Sequence, residues 1–135
     1  MRLKATAIMA ALLLTGCGLF DSGSNWRSGR FEVVWTDIDS DSHLAYRLDS
    51  RATLGIVESC VTAAGANKKF IAVKQLRAGQ SHYYVVEKAL FDPLRDSRNA
   101  IQGPLTQAAY QSLGKSTALP ALESVLPESA CGTAA

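Results

Sequence analysis

Three cysteines, two histidines and a short row of aspartates are the side chains here that could ligate, accept an acyl group or catalyse. Asp37, Asp39 and Asp41 spell Asp-x-Asp-x-Asp, the way a calcium loop opens, because alternate carboxylates can converge on one hard cation. Such a loop next needs glycine at its sixth position and glutamate at its twelfth, where Ser42 and Leu48 stand. The three aspartates therefore read as a solvated acidic turn and at most a weak divalent site. Gly114-Lys115-Ser116-Thr117 imitates the end of a phosphate loop, but Ala109 occupies the place of the earlier glycine and no strand leads into it. A helix stop followed by a second N-cap explains the same residues. Ser81, His82 and Glu87 contain hydrolase parts without a Gly-x-Ser-x-Gly elbow. His43 and His82 lie far from the cysteines, and Cys-x-x-Cys is absent, so no metal centre is expected. No catalytic residue and no cofactor emerge. Tyr83, Tyr84 and Tyr110 have the apolar ring and polar tip that protein interfaces favour, although sheet packing uses the same property.

Cys17 has a different setting. Arg2 and Lys4 precede an apolar run from Ala5 to Leu14, which is signal-peptide length and about half of what a bilayer crossing requires. Leu14-Thr15-Gly16-Cys17 follows at once: an apolar residue, two small ones and a thiol, the strongest common nucleophile. This stretch resembles the lipobox of bacterial lipoproteins. An ordinary secretory signal with an incidental cysteine is the competing reading. The resemblance implies cleavage between Gly16 and Cys17, a diacylglyceryl group on the sulfur, further acylation such as palmitate, and a mature chain beginning at Cys17. Two or more acyl chains hold a protein on a membrane where one does not. Gly18 stands where lipoproteins retained in the inner membrane of enteric bacteria carry aspartate, so the resemblance implies the outer membrane, facing the periplasm.

Cutting before Cys17 leaves 119 of the 135 residues, enough for one small domain. The cut removes Arg2 and Lys4, so the 14 basic residues fall to 12 and equal the 12 acidic ones. A near-neutral domain with scattered charges argues against nucleic acid and against a basic patch gripping headgroups. Cys60 and Cys131 remain, an even pair that reads as a disulfide in an oxidising compartment and as two buried thiols elsewhere.

Positioning these residues needs a scaffold. Residues 17–25 are rich in Gly, Ser, Asp and Asn and read as a flexible tether, leaving 26–135 as the globular domain and 1–16 as leader. Residues 30–36 alternate, with Phe31, Val33 and Trp35 on one face; 37–42 break; 44–48 alternate again, with Leu44, Tyr46 and Leu48 inward. Residues 54–63 read as one β-rich segment with a bulge or bend at Gly55. Residues 70–75 and 82–87 predict a hairpin around Gly79, apolar on both faces and hence central in its sheet and covered on both sides. Residues 91–99 form a surface loop, and 101–104 one further short strand. Thr106 caps a helix over 107–113 that Gly114 ends, and a second helix is expected over 118–126, with Pro127 closing it. The expectation is an α+β fold, β-dominant: an antiparallel sheet of about five strands followed by two short C-terminal helices.

The order Phe70-Ile71-Ala72-Val73-Lys74-Gln75, then Tyr83-Tyr84-Val85-Val86-Glu87, then Gly103-Pro104-Leu105-Thr106 running into Ala109-Tyr110 is similar to an uncharacterised family of small bacterial lipoproteins over Val57 to Leu113. It implies a similar fold and no catalytic residue. The resulting expectation is a lipid-anchored, non-catalytic envelope module that binds an envelope or exported protein, as an accessory or immunity-type subunit. The alternative is a small enzyme or ligand binder using the sheet face near His82, Tyr84 and Glu87.

Overall fold

Strict alternation of apolar and polar residues makes half-buried strands, and in this chain it makes two sheets of them. The structure, a computed structural model, describes residues 22–132; Gly16 and Cys17 lie outside the described residues. Strands β1 (Ser22–Ser28), β2 (Phe31–Thr36), β3 (Ile38–Arg47) and β4 (Thr53–Val57) form an antiparallel sheet in sequential order. The second sheet takes β5 (Val61–Ala66), β6 (Phe70–Arg77), β7 (Gln80–Glu87), β8 (Ile101–Leu105) and the two-residue β9 (Glu123–Ser124) in the order β8-β7-β6-β5-β9. One helix, α1 (Gln107–Ser116), follows β8.

The inner faces meet in a single apolar core. Phe31, Val33, Leu44 and Val57 come from the first sheet, and Val61, Ala64, Ile71, Val73 and Val86 from the second. Both sheets are antiparallel throughout and the fold is β-dominant, as the alternation implies. Among the described residues there are nine strands rather than the expected five or so: β1 and β9 are additional, β8 is the further short strand, and the 54–63 segment is two strands, not one. The chain leaves the first sheet after Val57 and enters the second at Val61, and the apolar residues on either side of the break belong to different sheets. Gly55 sits beside a register shift, where Ile56 is the extra residue opposite Leu44 and Ala45. The reading of 37–42 as a break also shrinks: Asp37, with φ +64°, turns the chain alone and β3 starts at Ile38. Asp39 and Asp41 therefore lie on a strand. Leu48 falls beyond β3 and is exposed rather than inward.

The hairpin of β6 and β7 is in unbroken register from Phe70–Glu87 to Arg77–Gln80. Its turn is Ala78-Gly79, both at positive φ, the two-residue geometry that matches strand twist. These strands are central and covered on both sides, as their composition requires. At α1, Thr106 Oγ1 accepts from the Ala109 amide at 3.1 Å, the expected cap. Gly114 does not stop the helix, which continues to Ser116. The second helix is absent: the chain passes the outer face of the second sheet at Gly65 and then, over 123–126, pairs with the edge strand β5. Gly65 has no room for a Cβ because the Ala121 carbonyl lies against it, and the Val125 amide donates to Thr62 O at 2.9 Å. Pro120 and Leu126 are buried in this passage, so packing rather than helix propensity sets its shape. Ser22–Asn25, expected to be tether, is the first half of β1, paired with Val34–Thr36.

Cys60 and Cys131 are joined, with Cα atoms 5.8 Å apart, and the bond ties a short 3-10 turn at Glu128–Cys131 to the crossover between the sheets. It spans 71 residues. Reduction should lower stability by about 4 kcal/mol on the loop-closure argument. Thermal melts with and without reductant, and of a Cys60→Ala/Cys131→Ala chain, measure this; equal melting temperatures would show that the bond contributes nothing.

Candidate functional site

The outer faces of the two sheets differ. That of the second is occupied: Tyr83 of β7 stacks on Tyr110 of α1 with ring centroids 4.4 Å apart and planes 13° from parallel, and the backbone at Ala121 lies against Gly65 of β5. Tyr84 points the other way, against the core, where Gly103 is forced to be glycine by the Tyr84 ring and the Tyr83 carbonyl. The three tyrosines singled out by sequence thus divide into a stack and a core ring, with no shared exposed patch. Alternation along β7 likewise puts Glu87 on the face opposite His82 and Tyr84, so the structure does not bring that trio together. Burial raises the phenol pKa of both Tyr84 and Tyr110 above the ordinary 10.0, with the negative field of Glu58 adding at Tyr84 and that of Tyr83 at Tyr110; Arg77 opposes at Tyr84. A phenol with a raised folded pKa contributes stability in full below its unfolded pKa and loses it as pH climbs through the folded value. Alkaline titration followed by phenolate absorbance should therefore show a late phase above pH 10.0, missing from Tyr84→Phe/Tyr110→Phe, whose stability should fall less steeply with pH.

The outer face of the first sheet has no covering element among the described residues. Glu32 of β2 projects from it yet is 1% exposed, since Phe31 and Val33 take the inner face. Two guanidiniums close over its carboxylate. Arg27, its register partner on β1, donates from Nε at 3.2 Å and Nη2 at 3.0 Å to Oε2. Arg47, on the far side of β3, brings Nη2 to 2.6 Å from Oε1, a charge contact off the line of a directed hydrogen bond. The arginine side chains keep 59% and 37% of their exposure, so each shows an unused edge to solvent.

That edge lines a groove of about 520 Å3 that also touches Trp35, His43 and Arg51. Trp35, expected in the core, lies here instead: β2 shifts register between Val34 and Thr36. The indole rests on β1 at Gly23, where a Cβ would come within 2.8 Å of the ring nitrogen. His43 Nδ1 is 2.8 Å from the Asp41 carbonyl, which fixes the ring's direction. Asp41 itself is engaged by Thr36, whose hydroxyl donates to Oδ2 at 2.8 Å. Among the described residues no group of three or more His, Cys, Asp or Glu side chains is gathered for a metal ion, and Asp37, Asp39 and Asp41 are not brought to a common point. No helix among them is long and apolar enough to cross a membrane.

Sequence reasoning missed this site. Arg27, Glu32, Arg47 and Arg51 are scattered over three strands and a turn, and each reads singly as the polar half of an alternating strand. Register is what unites them: Arg27 opposite Glu32, and Glu32 opposite Ala45, two residues from Arg47.

The chain matches no known protein family, no curated protein and no solved structure.

Arg47→Met removes one of two partners from a carboxylate that is 1% exposed, whereas Glu32→Gln frees two arginines that can turn to water. The first should cost about 3 kcal/mol and the second clearly less. Urea unfolding of both variants checks the order; a larger loss for Glu32→Gln would overturn it.

Proposed function

We propose that this chain is a lipid-anchored envelope module, non-catalytic, that binds another protein through the open face of its first sheet. The observation that carries the binding part is the groove over Glu32: three arginines and an indole on the uncovered face of a sheet whose other side forms the core. Arginine and tryptophan are the side chains most enriched where binding energy concentrates. The leader pattern ending at Cys17 supports the anchor, and the accessory or immunity-type role is the kind of work a small anchored module with an exposed recognition face performs.

The anchor reading gains a consequence from β1. Ser22 already pairs with Thr36, so at most four residues separate an acylated Cys17 from the folded body. The five Cα-to-Cα steps from Cys17 to Ser22 extend to roughly 17 Å at most, less reach than a nine-residue tether allows. The module would stand close to the headgroups with the Asp37 turn nearest them and the arginines farther out.

Cell fractionation with labelled palmitate tests the anchor. The wild-type chain should incorporate label and sediment with outer membranes; Cys17→Ser should do neither and should retain the leader. Unchanged processing and retention in Cys17→Ser would sink the anchored reading.

A further inference from the structure

Resting on the binding-module reading, we infer that the groove over Glu32 accepts an acidic segment of the partner protein, its carboxylates meeting Arg51 and the free edges of Arg27 and Arg47. The four charged groups do not balance: three guanidiniums face one carboxylate, and that carboxylate is buried beneath two of them. Glu32 also solves the usual weakness of surface arginines. Holding a long, flexible side chain still costs entropy at the moment of binding, and here Arg27 and Arg47 are already held, spaced by the two oxygens of one carboxylate. Arg27 spends Nε and Nη2 on Glu32, and Arg47 spends Nη2, so Nη1 of each remains available for an external oxyanion.

Arg51 completes the set from a turn. The Asp49 side chain accepts from the Arg51 and Ala52 amides at 2.7 and 2.8 Å, fixing the backbone there, and the Arg51 guanidinium makes no ion pair among the described residues. The remaining lining suits a chain rather than a lone ion. Ser24, Thr36 and Thr53 line the groove together with Trp35, so polar and aromatic residues share it with the arginines. A headgroup surface fits less well. β1 leads the chain into the sheet at Ser22, beside Thr36 and the aspartates of the turn, so the end of this face nearest an anchor at Cys17 is acidic.

Fluorescence anisotropy of a dye-labelled hexaglutamate peptide, titrated with the detergent-purified full chain, tests the assignment. Binding is expected at low salt and should weaken as salt rises. Arg51→Glu, an exposed turn residue outside the Glu32 pairs, should reduce affinity by about tenfold with an unchanged melting temperature. Phosphatidylglycerol vesicles added as competitor should leave peptide binding as phosphatidylcholine vesicles do. No peptide binding, or equal binding by Arg51→Glu, overturns the inference. Displacement by phosphatidylglycerol alone overturns it in favour of a lipid headgroup. A partner protein retained equally by wild type and Arg51→Glu in detergent pull-downs would refute the acidic occupant while leaving the module reading standing, whereas an anchored chain that retains no partner would count against the module itself.

Discussion

Everything in this fold hangs on three residues, Glu58-Ser59-Cys60, where the chain passes from one sheet to the other. Backbone groups in such a passage leave one ladder before they join the next, and in a protein interior they need partners all the same. Gln75, 1% exposed on the inner face of β6, supplies them: its Nε2 donates to Glu58 O at 2.9 Å and Ser59 O at 3.3 Å. Cys60 O accepts from the Leu76 amide at 2.8 Å, and Ser42 reaches across from β3 to donate to Val61 O at 2.9 Å. The disulfide to Cys131 then fastens the C-terminal passage at the same spot. A buried glutamine and a buried serine in an otherwise apolar core are thus the cost of turning one strand run into two layers.

The layering explains why only one outer face is left for recognition. After β8, α1 lies over the second sheet at Tyr83, and the chain then passes over Gly65 before joining the sheet's edge as β9. That cover is why Ala72 and Val85, which point away from the core, are nonetheless buried. Among the described residues the first sheet receives no such cover. Its solution is local: the aliphatic stems and heads of Arg27 and Arg47 close over Glu32 and Ala45, so the face is dry at its centre and cationic at its surface. A buried ion pair of this kind is a poor source of stability, because desolvation offsets much of the attraction. Its better use is geometric, as a fixed spacing between two guanidiniums.

What could be read from sequence was whatever depended on neighbours along the chain. The 70–87 hairpin follows from two alternating runs and Gly79; the Thr106 cap follows from a hydroxyl ahead of a helical run; the Cys60–Cys131 bond was one of two open choices. What failed depended on neighbours in space. Residues 54–63 carry no glycine or proline where the sheets part, because the turn is stabilised by Gln75, sixteen and seventeen residues onward from the carbonyls it holds, rather than by turn chemistry. Residues 118–126 have helical composition, yet Pro120 and Leu126 are worth more buried against the second sheet than as part of an exposed helix. Trp35 alternates like a core residue until a register shift at that position turns it outward.

Net charge is silent on the feature that matters most on this face. Neutrality of the whole says nothing about how charge is arranged, and this chain separates its charges by strand end. Asp37 makes the turn between β2 and β3 and Asp39 and Asp41 lie on the first residues of β3, while Arg27, Arg47 and Arg51 gather toward the opposite end of the same sheet. His43 lies between the two. A dipolar face of this sort orients an approaching partner before contact, and the field from surplus arginines reaches about 8–10 Å into physiological salt. On the proposed anchor at Cys17, the acidic end would sit toward the anchoring surface and the cationic groove away from it, accessible to a partner arriving from the aqueous side. Anchor and recognition face would then lie toward opposite ends of one strand, neither obstructing the other, and β1, which runs from Ser22 to just past Arg27, would set the distance between them.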